Sequence, residues 1–138
     1  MSNAVSAERV DLALSQGTAE VHEFPSAINQ KPSISVIGLG YVGAVSVACF
    51  ANLGFRMVGA DVVPAKVEAI KAGKSPIVEE GLETLLRDGV SRGLIEATTN
   101  VVEAVRNSDI TFLSVGTPTA ADGGCDMTYV RAAARSIG

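Results

Sequence analysis

Gly38-Leu39-Gly40-Tyr41-Val42-Gly43 constrains this chain more than any other stretch, because it follows the apolar run Ile34 to Ile37 directly and opens a pattern of small residues at helical spacing. A chain with 14 glycines produces G-x-G-x-x-G by chance, so the motif has meaning only where a strand delivers it and a helix leaves it. Ile34-Ser35-Val36-Ile37 suits a buried parallel strand, and residues 42–53 (VGAVSVACFANL) are long enough for three helical turns. Gly54 then stands where a C-cap glycine is expected. In such a unit Gly38 permits the tight turn, Gly40 clears the approach of a pyrophosphate, and Gly43 lets helix and strand pack closely. Ala44, Ala48 and Ala51 extend that close approach.

The run from Phe55 to Asp61 reads as a second strand ending in a carboxylate, 18 residues beyond the last motif glycine. An Asp at that tip can accept hydrogen bonds from the adenosine ribose hydroxyls and would repel the 2′-phosphate of NADP; alone it reads equally as a solvated strand-end Asp before a turn, and the glycine motif favours the ribose role. The expected cofactor is therefore NAD. Tyr41 and Val42 lie within the phosphate loop, so their backbone N–H groups at the helix N-terminus can face the pyrophosphate.

With 138 residues the chain fits one domain, and 47% hydrophobic residues suffice for a core. Only 4% are aromatic and none is Trp, so Val, Ile, Leu and Ala must build it, which suits helices packed on a parallel sheet. A formal charge of −4 and the absence of a basic cluster argue against a nucleic-acid footprint. No apolar run approaches the roughly 18 residues of a membrane span, and no apolar signal core is present, so a cytoplasmic protein is expected. Cys49 falls inside the first helix pattern and Cys125 in a distant glycine-rich loop, so both read as free thiols.

Residues 1–32 differ in composition and lack sustained periodicity, which reads as a flexible N-terminal extension with at most a short helix near Ala7 to Leu14. The one histidine, His22, sits there among polar residues and receives no role. From residue 33 to 138 strand and helix patterns alternate, giving an α/β class: a Rossmann-type doubly wound parallel sheet, truncated after about four strands. Pro64 fits the start of a helix ending near Ala72, and a second helix runs from Gly81 to about Ser91. Leu94 to Thr98 is a weak third strand, Asn100 caps a helix to about Asn107, and Asp109 to Val115 is a fourth strand. Asp126 is expected to cap a last helix. Right-handed crossovers then give the strand order 3-2-1-4, with the cofactor across the carboxyl ends of strands one and four and Gly116 and Thr117 beside the glycine loop.

Lys66 lies in the first turn of the helix after Asp61, where the helix dipole disfavours a cation. A cofactor phosphate would resolve that conflict, and so would simple extension into water. Thr117 could meet a phosphate or the nicotinamide ribose, or could belong to a plain turn. Cys125 has no histidine or nearby lysine to activate it and is rejected as a nucleophile. Glu79, Glu80 and Glu83 stand near a helix start, where acids are electrostatically favourable without any catalytic task.

Taken together, Ile34 to Gly43 (ISVIGLGYVG), Val58 to Asp61, Lys74 to Glu83 (KSPIVEEGLE) and Val115 to Pro118 (VGTP) resemble the amino-terminal domain of the nucleotide-sugar 6-dehydrogenases, the UDP-glucose/GDP-mannose 6-dehydrogenase family. Gly73 to Glu79, with Thr98-Thr99, looks more like the GDP-mannose branch than the UDP-glucose branch. Glu80 departs from the family's P-I-x-E-P-G-L pattern, which puts the local loop shape in doubt. The resemblance implies that Tyr41, Val42, Asp61, Lys66 and Thr117 contact NAD. It also implies an enzyme of polysaccharide biosynthesis, homo-oligomeric when full length, that oxidises a sugar-nucleotide C6 alcohol to a carboxylate with NAD as hydride acceptor. The family's catalytic cysteine lies in a following domain, and neither Cys49 nor Cys125 has its context. The 138-residue chain is thus expected to bind NAD weakly or not at all, to catalyse nothing alone, and to leave the edge of its fourth strand unpaired. Two rival readings are a non-catalytic dinucleotide-sensing or assembly module and a fragment of another Rossmann dehydrogenase, such as a hydroxyacid enzyme.

Overall fold

The computed structural model describes residues 31–138. The expected extension, the short helix near Ala7 to Leu14 and His22 lie outside the described residues, apart from Lys31 and Pro32 at the extension's end. The chain forms β1 (Ile34–Ile37), α1 (Tyr41–Asn52), β2 (Met57–Ala60), α2 (Pro64–Lys71), α3 (Leu82–Ser91), β3 (Ile95–Thr98), α4 (Val101–Arg106), β4 (Ile110–Leu113) and α5 (Thr128–Ile137). All four strands are parallel in the order β3-β2-β1-β4, as the crossover rule requires. The second and fourth strands are shorter than the sequence pattern suggests at both ends, although Asp61 N–H still donates to Thr98 C=O at 3.3 Å and Ser114 N–H to Ile37 C=O at 2.8 Å.

Strand alternation divides the core between two faces. On one face Ile34, Val36, Met57, Ile95 and Ala97 meet the buried residues of α1, α2 and α3. On the other, Ile37, Val58 and Ala60 meet Ala104 of α4 and Ala133 of α5. Small residues set the spacing of the first layer: Ala44, Val47, Ala48 and Ala51 of α1 are fully buried, and a Cβ on Gly89 of α3 would fall 2.4 Å from Ile95 Cδ1. Ser35, buried within the sheet, is satisfied by Thr111 Oγ1 and Ser108 Oγ, each at 2.8 Å, so its polarity costs the core little.

Helix ends follow their expected chemistry with one exception. Gly54, at φ +86°, closes α1: Gly54 N–H donates to Ala51 C=O at 2.8 Å and Phe55 N–H to Phe50 C=O at 3.0 Å, while the Phe50 and Phe55 rings meet edge to face. Asn100 Oδ1 accepts from Glu103 N–H at 3.2 Å and caps α4. Asp126 does not cap α5. Met127 takes the N-cap position, and Asp126 instead accepts from Thr128 N–H at 2.9 Å, because a short carboxylate closes a local turn onto the residue two ahead.

Candidate functional site

A crevice of about 490 Å³ opens where the chain leaves the carboxyl ends of β1, β2 and β4. Each glycine of the loop at its floor is needed for a different reason. Gly38 has φ +101°, and a Cβ there would lie 2.6 Å from Ser114 C=O, so the loop presses directly on the chain leaving β4. A Cβ on Gly43 would fall 1.8 Å from Gly38 C=O, which is how the first turn of α1 nests against the strand that feeds it. Gly40 is different: nothing lies within 4 Å of its would-be Cβ, and the residue lines the crevice. Its missing side chain leaves open space for something outside the chain.

The donors at that space are free to serve a ligand. Gly40 stands at the N-cap of α1 without a side-chain oxygen, and the first turn carries no acid, so its N–H groups and positive dipole end meet no internal anion. Tyr41 and Val42, which supply the first of those N–H groups, point their side chains away, at 57% and 66% exposure. Tyr41 Oη donates to Glu79 Oε2 at 2.9 Å, tying α1 to the segment before α3. That accepting carboxylate holds the phenol above its ordinary pKa.

Asp61, 7% exposed, is fixed by three donors: Leu39 N–H at 2.7 Å and Lys66 Nζ at 3.2 Å on Oδ2, and Val63 N–H at 2.9 Å on Oδ1. A carboxylate offers about four acceptor sites, so one on Oδ1 is left unused. The anion that offsets Lys66 in the first turn of α2 is therefore Asp61, a partner that neither the phosphate nor the solvent reading of that lysine included.

The structure brings Gly38, Gly40, Asp61 and Lys66 together around the crevice. Gly43 supports the loop from behind. Gly116 lines the opposite wall, whereas Thr117 is exposed and does not line it. Sequence reasoning missed Tyr129, Ala132 and Ser136, which bring α5 over the crevice mouth, and the apolar pair Val62 and Val63 beside Asp61. The available signal was Tyr129 in a helix following the strand that borders the glycine loop. Among the described residues no group of acids, histidines and cysteines could hold a metal, and Cys49 and Cys125 are exposed free thiols. No described helix is long and apolar enough to cross a membrane.

An uncapped helix N-terminus, an open Cβ position and a carboxylate with an unused acceptor site fit a dinucleotide without a 2′-phosphate. Known proteins agree. Residues 32–138 match the UDP-glucose/GDP-mannose dehydrogenase family, NAD binding domain. GDP-mannose 6-dehydrogenase of Pseudomonas putida is 45% identical over 105 residues, 76% of this chain and 24% of the relative. UDP-glucose 6-dehydrogenase of Bacillus subtilis is 44% identical over 105 residues, 76% of this chain and 23% of the relative. Among solved structures, a ternary complex of GDP-mannose dehydrogenase from Pseudomonas aeruginosa superposes with a TM-score of 0.74 at 45% identity, over 75% of this chain and 24% of that one. A UDP-glucose dehydrogenase from Pyrobaculum islandicum gives a TM-score of 0.77 at 46% identity, over 83% of this chain and 26% of that one. The chain thus spans about a quarter of the length of the relatives it matches, and it is similar to GDP-mannose and UDP-glucose enzymes to nearly the same degree. By fold, by crevice and by likeness, the chain belongs to the UDP-glucose/GDP-mannose dehydrogenase family and comprises its NAD-binding domain.

Proposed function

We propose that this chain is the cofactor-holding part of a nucleotide-sugar 6-dehydrogenase, in which two NAD molecules in turn each accept a hydride as the C6 alcohol of GDP-mannose or UDP-glucose is oxidised, with uptake of one water, to a carboxylate. The observation that carries the reading is the open Cβ position of Gly40 at the uncapped N-terminus of α1, beside an Asp61 with one acceptor site unused. In this reading Gly38, Gly40 and Gly43 shape the loop, the N–H groups of Tyr41 and Val42 receive the pyrophosphate, and Asp61 receives the adenosine ribose. Lys66 orients Asp61 and adds positive potential, Tyr129 and Val63 supply apolar walls for the adenine, and Thr117 meets the nicotinamide side. The complete enzyme is cytoplasmic, homo-oligomeric and serves polysaccharide biosynthesis, which rests on the family resemblance alone.

NMR titration of the 138-residue chain with NAD tests the reading. Weak binding is expected, with perturbed amides at Gly38 to Gly43, Asp61, Lys66 and Gly116, and no sugar-nucleotide oxidation by this chain alone. Tighter binding of NADP than of NAD would overturn the cofactor assignment.

A second reading, an assembly module responsive to a dinucleotide, draws on one observation: β4 pairs only with β1 among the described residues, and Ile110, Phe112 and Leu113 are each more than 40% exposed. Gel filtration separates the two. An oligomer that changes with NAD and shows no activity after joining to the rest of a dehydrogenase would favour the module.

A further inference from the structure

We propose that Lys66 determines cofactor specificity together with Asp61: its ammonium is a latent ligand for the 2′-phosphate of NADP, kept from that role by the carboxylate it now binds. The inference rests on the reading of the crevice as an NAD site.

Asp61 and Lys66 are the two charged side chains lining the crevice among the described residues, and their neighbours Val62 and Val63 are apolar. Nζ of Lys66 stands 3.2 Å from Asp61 Oδ2, on the same carboxylate whose Oδ1 is proposed to receive the ribose. The lysine side chain keeps 36% of its surface exposed against 7% for the aspartate, so it can turn toward an arriving anion while Asp61 cannot turn away. Asp61 is pinned by Leu39 and Val63 N–H as well, so its negative charge stays at the 2′ position whatever Lys66 does. Lys66 also sits in the first turn of α2, where the dipole opposes a cation unless an anion lies beside it. A phosphate dianion would fill that need at least as well as Asp61 does. Rejection of NADP is then a property of the pair: the carboxylate repels the phosphate, and the ammonium that would welcome it is already occupied.

Asp61→Asn tests this, since the amide removes the charge and keeps an acceptor oxygen for Leu39 N–H while giving up the acceptor that Val63 N–H uses. NADP affinity of this variant should rise by about tenfold or more over wild type, the scale of one charge-assisted hydrogen bond. Lys66→Met added to it should abolish the gain. Lys66→Met alone, with Asp61 intact, should change the NADP-to-NAD ratio of dissociation constants far less in competition titrations than it does in the Asp61→Asn background. The proposal is overturned if the double variant binds NADP as tightly as Asp61→Asn, or if folded Asp61→Asn gains nothing. If Asp61→Asn does not fold, Asp61→Ser takes its place, and the same two outcomes overturn the proposal. Failure of the wild-type chain, joined to the rest of a dehydrogenase, to bind NAD at millimolar concentration is a separate result, which removes the NAD reading and this inference with it.

Discussion

On the β2 side of the glycine loop Asp61 is 7% exposed and takes three hydrogen bonds, whereas on the β4 side Thr117 is exposed and three of the four β4 side chains are more than 40% exposed. Both sides end on the same crevice, and both strands flank β1 in equivalent parallel register. The difference lies in what covers them. β2 has β3 beyond it and helices on both faces, so the carboxylate at its tip is held by backbone donors that cannot move independently. β4 has its outer edge free among the described residues, and its Phe112 leans on a single aromatic neighbour, stacked at 5.8 Å on Phe50. The side of the site proposed for the adenosine is thus built into the core, while the β4 side, proposed for the nicotinamide, is open among the described residues.

Substitutions can break or sharpen this contrast. The largest expected effect is at the hinge of the two sides: Gly43→Ala would drive a methyl to 1.8 Å from Gly38 C=O, costing about 3 kcal/mol or more by urea unfolding. A loss below about 1 kcal/mol would mean that the loop gives way easily. Next, the same kind of truncation should cost unequally on the two strands. Met57→Ala, fully buried in β2, should cost about 3 kcal/mol, and Phe112→Ala in β4 about 1 kcal/mol. Equal losses would erase the distinction between finished and open sides.

The smallest effect concerns the foot of the β4 side. The Ser33 hydroxyl and then the Ser33 N–H, donating to Asp109 at 2.7 and 2.8 Å, hold that carboxyl below its ordinary value. A depressed folded pKa contributes stability above the unfolded carboxylate value of about 4, and the contribution disappears as pH falls through the folded value. The stability difference between wild type and Asp109→Asn should therefore shrink on acidification below about pH 4. Denaturation curves across that range check the sign, and a difference independent of pH would contradict it.

Local rules made the strand order and the loop readable in advance. Ile34 to Ile37, Gly38, Gly43 and Gly54 each obey a constraint that near parts of the chain impose, and the structure meets each one. Contacts between side chains chosen by tertiary packing were not readable in that way. The partner of Lys66 was missed because a lysine at a helix start was weighed against phosphate and water, not against the acid five residues back. Tyr129 was missed because helical spacing says which face packs on the sheet and not what lies beyond the helix end. Asp126 was placed one residue out, since a short acid can cap a helix or close a turn and only the backbone decides.

Gly40→Ala tests the central claim most directly. Its φ of −77° suits alanine and nothing lies within 4 Å of the added methyl, so stability should stay within about 0.5 kcal/mol of wild type. The methyl would stand where the pyrophosphate is expected, so NAD affinity should fall by about tenfold or more when titrated beside wild type. Unchanged NAD affinity in a folded Gly40→Ala chain would contradict the account, because the space that Gly40 keeps open would then not be the cofactor's.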